Sequence, residues 1–133
     1  MIHVVTGHIC SGKSWHVRQH ATPEDVVIDM DRIAEAISPE ETQHHNYTQH
    51  VADIARVARW AAMDEAIRLH RAGGFDLWII HAYPEDKDWT TYRRIGATVT
   101  AIECDDDTLR ARAREQRPLR MRRLLEDKLT KAS

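Results

Sequence analysis

Cysteine, glycine and long apolar runs are all scarce in this chain. Its 133 residues include two cysteines, Cys10 and Cys104, which is too few for a disulfide framework, so both are read as free thiols. No apolar run approaches the ~20 residues that a bilayer crossing requires. The opening "MIHVVTG" enters a strand pattern directly, without a charged leader and cleavage site. A cytoplasmic protein without a membrane partner is the expectation. Neither sign of charge dominates, since 19 basic and 21 acidic residues leave a formal charge of -2. That balance excludes a basic nucleic-acid coat and an acidic tail, so any affinity for polyanions must be local. There is no repeat, low-complexity tract or linker.

What is present is a core and a regular alternation of patterns. With 42% apolar residues, the chain has enough to bury a sizeable core in one domain spanning 1–133. Residues 2–6 (IHVVT) form an apolar run suited to the middle of a parallel sheet. A helix is expected from Lys13 to about His20, a strand over 26–28 (VVI), and a short helix over "MDRIAEAI" that Ser38 and Pro39 stop. Ser38 or Thr42 is suited to cap the next helix. From Tyr47 to Leu69, Val51, Ile54, Ala58, Ala62, Ala66 and Leu69 recur at helical spacing, which predicts a long helix on the core. Gly73 and Gly74 end it. "FDLWIIHAYP" predicts a third strand reaching about His81, "DWTTYRRIG" a short helix with a glycine stop, and "ATVTAIEC" a fourth strand. Helical texture resumes after Asp107, and a terminal helix over 119–129 turns Met121, Leu124, Leu125 and Leu129 inward. Strand and helix alternate throughout, which argues for an α/β domain with a mostly parallel four-stranded sheet flanked by helices.

The stretch "VVTGHICSGKSWHV" carries the strongest chemical signal. Gly7, Gly12, Lys13 and Ser14 fit G-x-x-x-x-G-K-[ST], and the motif stands between a predicted strand and a predicted helix. Glycines permit the tight turns that let backbone amides converge on phosphate oxygens at a helix N-terminus. The expected ligand is therefore ATP with Mg2+. Lys13 would bridge the β- and γ-phosphates and Ser14 would hold the metal. His8, Ile9, Cys10 and Ser11 contribute backbone positions, and the Cys10 thiol is read as a spectator because no base for it is evident.

Asp29 and Asp31 follow the second strand, at the sheet edge where α/β folds place their ligand crevice. Asp31 is assigned as general base and Asp29 as a group around the metal; the alternative is that one of them caps the helix that begins there. The third strand ends in His81, not in an acidic metal ligand, which weighs against an ATP-driven motor. His81 itself is either a substrate contact or a structural histidine. Asp76 lies at the opposite end of that strand and is excluded.

"LRARAREQRPLRMRR" is locally basic in an otherwise balanced chain. Arg112 and Arg117, with Arg114 next, are the candidates for a lid over the γ-phosphate, where arginine supplies bidentate donors. Arg110, Arg114 and Arg117 share a face if the helix persists that far. The alternatives are a solvated helix laced by acidic neighbours, or contact with a nucleic-acid backbone. Trp60 and Trp78 are read as core, while Tyr47, Trp15 and Trp89 are free to approach acceptor or adenine. Adjacent His44 and His45, with His50, do not make a zinc spacing.

In order and spacing these segments resemble the kinase domain of bacteriophage polynucleotide 5'-kinases, within the wider group of small P-loop kinases. The resemblance is carried by "VVTGHICSGKSWHVRQH", by "VIDMDR", by the Tyr-Thr pair of "HHNYTQH" and by "RARAREQRPLRMRRLLEDKL". It implies a P-loop NTPase fold with a C-terminal arginine-rich lid and helix. It also implies that Asp31 deprotonates a 5'-hydroxyl of DNA or RNA. A nucleoside or nucleotide kinase is the near alternative, and a nucleotide-dependent binding or regulatory protein a more distant one.

Overall fold

Four short apolar runs become the strands β1 (Ile2–Thr6), β2 (Val26–Ile28), β3 (Leu77–Ile80) and β4 (Thr98–Ala101), all paired in parallel in the order β2-β3-β1-β4. They belong to a computed structural model that describes residues 1–39 and 46–132, so Thr42, His44 and His45 lie outside the described residues. Between and after the strands come α1 (Lys13–His20), α2 (Met30–Ile37), α3 (Gln49–His70), α4 (Asp86–Arg94), α5 (Asp106–Gln116) and α6 (Leu119–Ala132). Among the described residues, no helix is long and apolar enough to cross a membrane.

Alternation along the strands divides the core between two faces of the sheet. Val4, Ile28, Leu77 and Ile79 face Met63 and Ala66 of α3 and Tyr92 of α4. Val5 and Trp78 face Val17 of α1. Burial on both sides explains why the central strands read as continuous apolar runs. Edge strand β4 is more open, with Val99 46% exposed. Ile79 is fully buried in the central sheet, so Ile79→Ala should cost about 2–5 kcal/mol, read as a lower urea midpoint at unchanged m-value.

The strand ends opposite the carboxyl edge are tied by polar contacts. Asp76 meets the N-terminal ammonium at 2.7 Å and His3 Nε2 at 2.9 Å. Asp25 accepts from the Asp76 N–H and from the Trp78 indole. These residues hold the sheet together away from the glycine loop.

Two sequence expectations fail along α3. Its buried positions are Val51, Ala52, Ala55, Arg59, Met63 and Ala66, whereas Ile54 and Leu69 are 57% and 46% exposed. The buried face is rotated from the small-residue stripe and includes Arg59. Trp60, expected in the core, is 54% exposed. The condition on the arginine face is not met at α5, which stops at Gln116: Arg117 is extended at φ -136° and ψ 148°. Arg110, Arg114 and Arg117 therefore do not line one helical face. Helices α5 and α6 pack on each other, and Leu109, Ala113, Leu125 and Leu129 enclose Ile9 of the glycine loop. The helical pair is thus anchored beside the carboxyl ends of the strands.

Candidate active site

The loop from β1 to α1 winds tightly. Gly7 and Gly12 have φ of 143° and 104°, and Cys10, at 65°, is the one non-glycine residue with positive φ among the described residues. A Cβ on Gly7 would lie 2.6 Å from the Ile102 carbonyl oxygen and 2.8 Å from Ser11 Oγ, whereas one on Gly12 would meet nothing within 4 Å. Gly7→Ala should therefore cost roughly 1–3 kcal/mol through overpacking, with backbone strain of similar size added. Gly12→Ala carries the strain alone; thermal melting of both variants would show the difference.

Lys13 begins α1 and turns back into the loop. Its ammonium donates to the carbonyls of Gly7 (2.9 Å) and His8 (2.7 Å) and reaches Ser11 Oγ at 3.5 Å. Burial, reinforced by the charge of Arg117 and offset in part by Cys10, lowers its pKa to about 8. The ammonium is thus a desolvated cation held by neutral oxygens, a setting in which an anion is strongly favoured. Burial pushes the Cys10 thiol up despite the nearby Arg117, Lys13 and Arg112, in keeping with a spectator.

The loop forms one wall of an open cleft of roughly 1840 Å³. The residues from Ile9 to Trp15 line it; Gly7 and His8 lie behind them, and His8 Nδ1 is 3.2 Å from the Tyr83 hydroxyl. Asp29 and Asp31 line the same cleft. Asp29 is buried and accepts the Asp31 N–H at 3.1 Å, so it is the N-cap of α2. Asp31 Oδ1 accepts from the Tyr47 hydroxyl at 2.6 Å. Burial, together with this bond to a carboxylate, drives the Tyr47 pKa far up, which keeps the phenol a donor. The guanidinium of Arg120 lies over the Tyr47 ring, 5.5 Å from its centroid.

Arg112 and Arg117 also line the cleft, and Arg112 donates to the Cys10 carbonyl at 3.0 Å. Arg114 is not brought to it. It lines a separate hollow of about 130 Å³ between α5 and α6 with Arg110 and Arg122. Trp15 is 60% exposed on the cleft wall, whereas Trp89 packs edge-on against Tyr92. His81 lines the cleft, with Nδ1 2.7 Å from the Tyr92 hydroxyl and Nε2 3.8 Å from Asp88. Burial and the Arg59 charge lower its pKa to about 4, so the imidazole is neutral at pH 7.

Among the described residues lining the cleft, nine are Lys or Arg and five are Asp or Glu. In a chain of net charge -2, this polarisation favours an anionic ligand. Ser14 and Asp29, both lining the cleft, carry hard oxygen donors, a chemistry suited to Mg2+, which takes few protein ligands and completes its shell with phosphate and water. Among the described residues, no group of three His, Cys, Asp or Glu side chains could hold a metal by itself. The residue missed in the sequence is Arg59: buried, on the cleft wall, and donating to the Tyr92 hydroxyl at 3.4 Å. Its signal is an arginine in phase with Val51, Ala55 and Met63, detectable once the helix is read for the partners of a charge and not for apolar residues alone. No protein-family model matches the chain, and no curated protein matches its sequence.

Proposed function

We propose that the chain is an ATP-dependent phosphotransferase with a P-loop NTPase fold, which transfers the γ-phosphate to a 5'-hydroxyl of DNA or RNA. One observation carries the reading: a partnered carboxylate, Asp31, shares a cleft with a glycine loop whose lysine is buried against backbone carbonyls. The bacteriophage polynucleotide 5'-kinase resemblance supplies the choice of acceptor. Cleft size supports a two-substrate reaction, since one small-molecule site occupies ~300–1,000 Å³ and this cleft is roughly 1840 Å³.

ATP with Mg2+ supplies the transferable phosphoryl group and an electrophilic phosphorus. The protein contributes position and charge. Lys13 neutralises phosphate oxygens and holds them against the loop. Ser14 and Asp29 are the residues that would hold the metal, Asp29 from its capping position through water. Tyr47 fixes the Asp31 carboxylate, which accepts the acceptor's hydroxyl proton. Arg112 and Arg117 place positive charge on the side of the cleft covered by α5 and α6, where negative charge develops during transfer.

The test is transfer of label from γ-phosphate-labelled ATP with Mg2+ to parallel pools of 5'-hydroxyl DNA, 5'-hydroxyl RNA, nucleosides and nucleoside monophosphates. Label on oligonucleotide ends supports the proposed acceptor. Label on the small molecules alone moves the enzyme to the nucleoside or nucleotide kinases. Nucleotide binding without any transfer supports a binding or regulatory protein instead.

A further inference from the structure

Arg59 and Trp60 are consecutive on α3 and both line the cleft that the loop and Asp31 also line. Arg59 is only 7% exposed, and its hydrogen bond is to the Tyr92 hydroxyl. Among the described residues it forms no ion pair. A guanidinium can only donate, so Tyr92 receives Arg59 on its oxygen at 3.4 Å, and the same hydroxyl lies 2.7 Å from His81 Nδ1. A neutral phenol oxygen is poor compensation for a buried cation, which is normally paired with an anion.

Trp60 adds a second, independent feature. It is 54% exposed on the cleft wall, and the Lys87 ammonium approaches its ring at 5.6 Å from the centroid. An open indole and a desolvated guanidinium lining one cleft match the two chemical parts of a nucleotide. Aromatic faces stack bases, and arginine binds phosphate.

We propose that Arg59 and Trp60 form an acceptor subsite for one nucleotide unit, with its phosphate on Arg59 and its base stacked on Trp60. This rests on the phosphotransferase reading and places the nucleotide next to the reacting hydroxyl on α3, not on the arginines of α5 and α6. Tyr92 and His81 are positioning residues that hold the guanidinium toward the cleft. The shared ligand chemistry is a nucleoside phosphate, whether a mononucleotide or the end of a single strand.

Equilibrium binding by the full chain tests this without requiring turnover. The probes are a 5'-hydroxyl DNA trinucleotide, adenosine 3'-monophosphate, adenosine and ATP. Trp60→Ala, a change at an exposed position, should weaken trinucleotide binding by about five- to hundredfold and leave ATP binding unchanged. Arg59→Gln should weaken both phosphate-bearing acceptors at least about tenfold and adenosine little, as expected for a lost charge-assisted bond. Equal affinity for trinucleotide and monophosphate would identify the mononucleotide as sufficient; a large advantage for the trinucleotide would identify the strand. If Trp60→Ala binds the trinucleotide as the unchanged protein does, or if that protein binds neither phosphate-bearing acceptor, the subsite is overturned. Labelled-phosphate transfer separates this from the reaction itself. Transfer that persists with Trp60-independent binding rejects the subsite alone, whereas Trp60-dependent binding without transfer rejects the phosphotransferase reading alone.

Discussion

Asp31→Asn is expected to lower phosphoryl transfer by roughly 10²–10⁴-fold, the range that a positioned general base contributes, while ATP affinity is unchanged. The substitution is close to isosteric. Its amide oxygen can still accept the Tyr47 hydroxyl proton that Asp31 Oδ1 accepts at 2.6 Å. What disappears is the capacity to take a proton from the acceptor. Single-turnover transfer, measured with ATP saturating, isolates that step from nucleotide binding. A melting temperature equal to that of the unchanged protein would show that the α2 N-terminus, capped by Asp29 and not by Asp31, is intact. Unchanged transfer in a normally folded variant would remove Asp31 from the mechanism and leave the cleft in need of another base.

Asp31 was legible in the sequence because local rules govern its surroundings. A short apolar strand, an aspartate suited to capping and an amphipathic helix succeed one another within 12 residues, "VVIDMDRIAEAI", and each fixes its neighbour's conformation. The β1 strand and glycine loop are local in the same sense, and α1 begins at Lys13 as the motif requires. Long-range compensation was not legible. Arg59 is buried, and its bond is to the hydroxyl of Tyr92, 33 residues later; nothing near Arg59 announces that partner. Reading apolar spacing alone therefore misplaced the buried face of α3 and left Arg59 unread, and Trp60, expected in the core, is 54% exposed. The end of α5, left open in the sequence, is by contrast set locally. Arg117 precedes Pro118, and a residue before proline is driven out of the helical region; its φ and ψ are extended, and it lines the cleft whereas Arg114 does not. Asp29 shows a third pattern, in which the capping alternative explains its position while its place on the cleft wall keeps it near the proposed metal.

Lys13 should make nucleotide binding depend on pH in a direction set by its low pKa. Burial holds that pKa at about 8, against an ordinary Lys value of 10.5. Phosphate oxygens beside the ammonium favour its charged form, so the pKa is higher in the complex than in the free protein. Below pH 8 the lysine is already protonated and affinity is flat on its account. Above pH 8 the free protein loses the charge, and binding must take up a proton, so Kd should rise by about tenfold per pH unit until the pKa of the complex is reached. Lys13→Arg carries a guanidinium that stays charged over this range and should flatten the dependence, whatever its effect on absolute affinity. Lys13→Ala should abolish the dependence and reduce transfer by roughly 10³-fold, about 4 kcal/mol of phosphate-charge stabilisation. Calorimetric titrations with ATP between pH 7 and 9.5, in buffers of different ionisation enthalpy, would count the protons taken up. Uptake that is absent in the unchanged protein, or equal in Lys13→Arg, would mean that the buried ammonium does not meet the phosphates and that the loop binds its ligand through other groups.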